Sequence, residues 1–305
     1  MLRAAIDIGS NSILLLVVDQ NGKVLRDLSV IVGLGKGLGD SGNFQDDRIQ
    51  MACRTLADYA QEAVSLGVAI DNIHVAATSA ARRAQNADVF IQRVHTETGL
   101  YVEIIDGERE AELTWMGARD GLTLPDSVIG VVDLGGGSTE VVTGKQNSIL
   151  SRYSMEIGTV RLTEMVCREA PDVFRASHKD HMRLEASKIV NQLSWEIQPK
   201  VLVAVAGTAT TLAAAEIGLE KWDADQVHGF WLSRTALNAW ETRLLDCSRA
   251  QRKALVRASP KRADTVLAGA CILGKVCDSA GVDGLRISVG GIRHGLVATQ
   301  HSTNI

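Results

Sequence analysis

A strand-like run that ends in Asp, a tight turn of small residues and a second apolar run occur together twice in this chain. That repeat limits what the chain can fold into. The first copy reads AAIDIGSNS over 4–12 and places Asp7 before Gly9, Ser10, Asn11 and Ser12. The second reads GVVDLGGGSTE over 130–140 and places Asp133 before Gly135, Gly136, Gly137, Ser138, Thr139 and Glu140. Glycine carries no side chain to block an approaching anion, and it tolerates positive φ. Successive N–H groups in such a turn form an anion-binding concavity. The hydroxyls of Ser10, Ser12, Ser138 and Thr139 add donors. A carboxylate in front of each turn repels bare phosphate, so Asp7 and Asp133 predict a divalent cation, Mg²⁺, between protein and ligand. Two copies predict two related domains whose turns face each other across a phosphate-binding cleft.

The remaining composition narrows the function classes. The chain has 305 residues, which suits two domains better than one. It is 46% hydrophobic, enough for two cores, and its net charge of −4 gives no basic excess for a nucleic-acid partner. Cys53, Cys167, Cys247, Cys271 and Cys277 show neither CxxC nor metal-ligand spacing, and read as reduced cytosolic thiols. The apolar stretches fall short of a membrane span. The chain opens at once in a strand-like run, so a cytoplasmic protein is expected.

Periodicity places the elements. Asn21-Gly22 between apolar runs predicts a hairpin with a type I′ turn. Ile49, Ala52, Leu56, Tyr59, Ala63 and Leu66 fall at helical spacing over 46–66. A strand at 74–77, a helix over 80–98, a strand at 101–105 and a helix over 108–119 follow. Gly121 to Asp126 is the expected boundary, giving domains over 1–122 and 123–305, with the last helix free to pack back on the first domain. The second half repeats the order: strands at 128–133, 140–143 and 148–155, helices at about 160–169 and 178–197, and a strand at 201–205. Gly207-Thr208 then opens a helix, where small residues at an N-terminus suit a phosphate. One further strand is expected at 286–289. Alternation of this kind is α/β.

The segments AIDIGSNS, ATSAARRAQN, VVDLGGGSTEVV, IGTVRLTE, AGTATTLAA, VHGFWLS, RADTVLAGA and GGIRHG, with Glu110-Ala-Glu after Gly107, resemble the Ppx/GppA phosphatases. These are exopolyphosphatases and guanosine pentaphosphate phosphohydrolases. The resemblance implies two ribonuclease-H-like domains of the actin/Hsp70/sugar-kinase type. It implies that Glu110 orients or deprotonates water, and that Asp133 and Glu140 serve metal (Mg²⁺ or Mn²⁺) and water alongside Asp7. It implies that Gly9, Ser10, Asn11, Gly135, Gly136, Gly137 and Ser138 contact phosphates and that Arg82 is basic toward the cleft; the hydroxyls of Ser12 and Thr139 and the Gly207-Thr208 helix start are expected to add phosphate contacts on their own chemistry. Without the resemblance, Glu110 beside Glu108 and Glu112 reads as a solvated acidic face at a helix start. Three departures stand out: Arg109 where the family often has an acid, Gly33 where many members carry Arg, and His294 where many carry Glu.

The expected activity is hydrolysis of a terminal phosphoanhydride, in polyphosphate, in pppGpp, or in both. Such a reaction needs an in-line water, a base and a positive field on the transferring oxygens. Polyphosphate or guanosine penta- and tetraphosphate are the expected partners, with a homodimer as the assembly and no nucleic acid or membrane. Two other classes remain open: an ATP-dependent kinase or ATPase of the same fold, and a non-catalytic (p)ppGpp or polyphosphate sensor.

Overall fold

The computed structural model describes residues 2–299. The chain forms two compact units, Met1–Gly117 joined by the segment from Ile292 onward, and Ala118–Gly291. The expected boundary at 121–126 lies a few residues beyond the division.

The first unit opens with β1 (Arg3–Ile8), β2 (Ser12–Val18) and β3 (Val24–Ile31), followed by the short α1 (Leu38–Ser41) and the long α2 (Asp46–Ser65). Then come β4 (Ile73–Ala77), α3 (Ser79–Arg83), α4 (Ala87–Thr98), β5 (Val102–Ile104) and α5 (Gly107–Arg119). The strand order is β3-β2-β1-β4-β5. The first three strands are antiparallel neighbours, while β4 and β5 add on in parallel.

Side chains alternate across a sheet, and here both faces are covered. Ala4, Ile6 and Ile8 of β1 join Ile49, Leu56, Tyr59, Phe90 and Val94 in one core. Ala5 points the other way, into a smaller core with Leu16, Leu113, Leu296 and Val297. Asp7 shares the parity of Ala5, so the pleat carries its carboxylate into this smaller, helix-covered layer.

The second unit contains β6 (Ile129–Leu134), β7 (Thr139–Lys145), β8 (Ser148–Met155), α6 (Thr159–Cys167), α7 (Ala176–Val190), β9 (Val201–Val205) and α8 (Ala206–Ile217). It continues through α9 (Ala224–Val227), β10 (Trp231–Ser233), α10 (Arg234–Arg243), α11 (Arg249–Leu255), α12 (Val266–Ala280) and β11 (Gly284–Ile287). Its sheet runs β10-β11-β9-β6-β7-β8. Read from β8, this is the order of the first sheet with one antiparallel strand, β10, added at the far edge. The core is formed by Val132, Ala204, Leu212, Leu237, Trp240 and a continuous apolar face of α12. The closing helix α13 (Ile292–Thr299) belongs to the first unit and packs on β1 and β2. The α/β class with two ribonuclease-H-like domains is therefore the architecture found.

Local expectations needed correction in four places. The hairpin after β2 exists, but its turn is not type I′, which needs positive φ at both central residues. Only Gly22 has it, at 83°; the Asp19 carboxylate instead accepts the N–H groups of Asn21 and Lys23 and shapes a longer loop. The helix over 80–98 is two helices, because the Asn86 side chain turns aside to bond both the N–H and the carbonyl of Phe44. The helix expected to 197 stops at Val190. Strand β10 was not expected; three residues are too few to show a period.

Among the described residues, no helix is long and apolar enough to cross a membrane.

Candidate active site

Each copy of the repeated motif folds into the same device. In the first, Ile8 pairs with Ile13 and the Gly9 N–H donates to Ser12 O at 3.0 Å. In the second, Leu134 pairs with Thr139 and the Gly135 N–H donates to Ser138 O, also at 3.0 Å. Between these bonds the N–H groups of Ser10 and Asn11, and of Gly136 and Gly137, make no hydrogen bond among the described residues. Unpaired amides in a tight turn are what an oxyanion needs.

A following segment seals each turn from behind. Val32 and Gly33 donate their N–H groups to Asn11 O at 2.9 and 2.8 Å, and Gly35 donates to Ser10 O at 2.7 Å. In the second unit Thr159 donates to Gly135 O at 3.0 Å, while Val160 and Arg161 donate to Gly136 O at 2.9 and 3.1 Å. The turn carbonyls are thus used internally, which leaves the amides as the reactive side.

The carboxylates differ between the units. In the first, Glu110 projects from the start of α5 and is only 5% exposed. Arg82, at the end of α3, donates from Nη1 to Glu110 Oε2 at 2.6 Å and to Ile105 O at 2.8 Å. Burial pushes the Glu110 carboxyl above the usual range, and the Arg82 charge pulls it back. The solvated acidic face expected for this helix is therefore only partly found: Glu108 is exposed and Glu112 half-exposed, but Glu110 is buried. Arg82 is committed to this carboxylate, with its side chain 28% exposed.

Asp7 lies in the same layer. Its Oδ1 is buried with no hydrogen-bond partner. Its carboxyl is raised to about 7, chiefly by burial and further by the Glu110 charge, with the Arg293 guanidinium of α13 opposing both. Arg293 is anchored to Asp27 at 3.0 Å. A buried carboxylate oxygen left without a donor is costly unless a cation or proton reaches it, so this donor fits a hard cation.

In the second unit Asp133 pairs directly opposite Glu140 across β6 and β7. Glu140 is 9% exposed and accepts from Ser154 Oγ at 3.1 Å. Two facing carboxylates suit Mg²⁺, which takes one or two carboxylates plus waters and substrate oxygens. Among the described residues no three or more His, Cys, Asp or Glu side chains gather into a metal cage.

Asp133 also neighbours Val205 on β9, which leads into the Gly207-Thr208 turn. There Ala206 adopts φ 68°, a left-handed conformation costly for a residue with a Cβ and typical of functional turns. The hydroxyls of Thr210 and Thr211 return to Gly207 O at 3.2 and 2.5 Å, which pins this turn. One hydroxyl behaves differently from expectation. Thr139 is fully buried and spends its proton on Ile157 O at 2.5 Å, so its side chain is not a phosphate donor. Thr208 packs its methyl toward Gly269, where a Cβ would lie 2.2 Å from it. Sequence reading missed Arg262. Its guanidinium lies against Gly207, Cζ only 1.9 Å from where a Cβ would stand. Burial lowers its pKa to about 10. The segment RADTVLAGA held this residue, but only the fold brings it to Gly207.

Comparisons with known proteins place the chain in a family. Exopolyphosphatase 2 of Mycobacterium tuberculosis is 34% identical, with 96% of each chain covered. A crystallised Ppx/GppA family member from Aquifex aeolicus superposes with a TM-score of 0.81 at 31% identity, covering 100% of this chain and 99% of that one. An exopolyphosphatase from Cytophaga hutchinsonii superposes with a TM-score of 0.87 at 27% identity, covering 99% and 98%. The profile of the Ppx/GppA phosphatase family matches residues 16–303. This chain belongs to the Ppx/GppA phosphatase family.

Proposed function

We propose that this protein removes the terminal phosphate of inorganic polyphosphate, with pppGpp as a second substrate converted to ppGpp, by direct attack of water. One observation carries the reading: a carboxylate, Glu110, is buried and clamped by Arg82 in the same layer as Asp7, on the unit whose turn offers unpaired amides. A general base works best when its pKa approaches the working pH. Burial moves Glu110 in that direction, and Arg82 keeps it ionised and aimed.

The roles divide as follows. Glu110 orients the water and takes its proton. Backbone N–H groups of Ser10, Asn11, Gly136, Gly137 and the Gly207-Thr208 turn bind phosphate oxygens, and Arg82 adds positive field. Asp133 and Glu140 of the second unit, and Asp7 of the first, would each offer carboxylate oxygens to Mg²⁺ or Mn²⁺, which when bound offsets substrate charge and polarises the phosphoryl oxygen. The name of the mycobacterial relative supports polyphosphate as the first substrate. A cytoplasmic homodimer completes the proposal.

The test is phosphate release from long-chain polyphosphate, tripolyphosphate, pppGpp and ATP, side by side. Release from polyphosphate with Mg²⁺, and its loss in strong chelator, is expected. Full activity in chelator would overturn the metal assignment. Binding of pppGpp without release would make the protein a sensor, and turnover of ATP alone would make it a kinase or ATPase.

A further inference from the structure

We propose that Lys36 and Arg48 form a cationic rim on the first turn and select for long, linear condensed phosphate. This rests on the hydrolase reading above and adds a chain-length determinant to it.

The loop over 32–37 is held on the first turn by three backbone bonds, from Val32, Gly33 and Gly35 to Asn11 O and Ser10 O. Its position is therefore fixed by the turn that offers the unpaired amides. The Lys36 N–H closes the loop onto Gly33 O at 3.0 Å, which sets Lys36 one residue from the contact with Ser10. Lys36 is exposed, and its ammonium makes no ion pair or hydrogen bond among the described residues.

Arg48 enters the same loop from the first turn of α2. Its Nη1 donates to Val32 O at 3.2 Å. That atom lies 3.7 Å from where a Cβ on Gly33 would stand. Gly33 has φ 68°, a conformation strained for a residue with a side chain. The loop thus takes its guanidinium from a neighbouring helix instead of from position 33. Asp47, the ionic neighbour of Arg48 at 3.3 Å, is two-thirds exposed and screened by solvent.

Lys36 and Arg48 carry no catalytic geometry of their own. Lys36 lies in the loop bonded to the first turn, and Arg48 donates to that same loop. Guanidinium groups suit phosphate oxygens, and exposed ammonium groups draw polyanions in a salt-dependent way. A longer chain should gain more from such a rim than a short one.

The experiment uses the full chain and compares KM for long-chain polyphosphate and sodium tripolyphosphate across ionic strength. The variants are Lys36→Glu, Arg48→Met and the double variant. In the double variant the KM ratio of long chain to tripolyphosphate should shift about tenfold against the long chain, with a shallower salt dependence. Lys36→Glu alone should move the same ratio about threefold; its side chain supports nothing, so misfolding does not confound it. Equal losses on both substrates, a loss confined to kcat, or no shift in Lys36→Glu would overturn the rim. If the wild type releases no phosphate at all, the hydrolase reading fails separately. Long-chain polyphosphate retained by the wild type and lost by Lys36→Glu in a binding assay would still support the rim, and equal retention would overturn it.

Discussion

The two copies of the strand–turn–strand motif share a backbone and differ in what surrounds it. Asp7 faces Leu14 across its hairpin, whereas Asp133 faces Glu140. Asp7 sits in an apolar layer between the sheet and two helices with one carboxylate oxygen buried, whereas Asp133 sits beside another acid; both residues are partly exposed. The first copy gains an ion-paired base from α5 and α3, while the second gains a left-handed Ala206 and the guanidinium of Arg262. The two copies thus share one turn geometry and differ at the facing position and in the helices that cover them. In our reading the base that handles the water belongs with the first copy, while carboxylates of both copies serve the cation.

The sharpest way to break that division is Glu110→Gln. The substitution keeps shape and an acceptor oxygen but cannot take a proton. Turnover should fall by roughly two orders of magnitude or more. Burial adds a second expectation: Arg82 loses its counter-ion, so unfolding free energy should drop by about 1–3 kcal/mol. Glu108→Gln, on the exposed side of the same helix, should be mild in both respects. Steady-state kinetics at a temperature where circular dichroism shows both variants folded separates the two effects. Near-normal turnover in Glu110→Gln would remove the first copy from the chemistry.

Much of this site was legible from residue order, and the rest was hidden for identifiable reasons. The Asp–turn repeat, the parallel strands and the α2 stripe all depend on neighbours close in sequence. The burial of Glu110 does not. Three acids at alternate positions look like a solvated face, and the ion pair of the middle one comes from Arg82, 28 positions away. Asp19 could not be seen to outcompete a type I′ turn, because its carboxylate acts across four residues on the backbone. The break at Asn86 depends on Phe44, more than forty positions away. Arg262 reaches Gly207 only through tertiary packing.

A second test compares how tightly each turn is sealed. A Cβ on Gly158 would lie 2.5 Å from Gly136 C and O and 2.6 Å from Gly137 N, all backbone atoms. A Cβ on Gly35 would meet Ser10 Cβ at 3.1 Å and Ser10 O at 3.2 Å, a few tenths of an ångström from ordinary contact. Gly158→Ala must move the glycine turn itself, at a cost of about 1–3 kcal/mol. Gly35→Ala should cost less than about 1 kcal/mol. Denaturant unfolding measures both, and kcat/KM should fall further in the first. Equal effects would mean the turns are equally pliable and the contrast lies only in their side chains.

The smallest effect concerns the dry environment of Asp7 and is read in strong chelator, so that no cation masks it. Burial raises this carboxyl from 3.8 to about 7. A group that holds its proton more tightly when folded supports the fold fully below about pH 4 and withdraws that support as pH rises through 7. At about 1.4 kcal/mol per pH unit, the ionised form costs the fold on the order of 4 kcal/mol above pH 7. Asp7→Asn removes that charge but leaves a buried amide with an unmet partner, which takes back about 1–3 kcal/mol. The variant should therefore melt later than the wild type at pH 8, by a margin worth about 1–3 kcal/mol. At pH 4 the advantage should vanish, because the wild-type carboxyl is then neutral in the fold. A pH-independent difference between the two proteins would show that Asp7 is solvated after all. The contrast between the two copies would then rest on Glu140 and Arg82 rather than on burial.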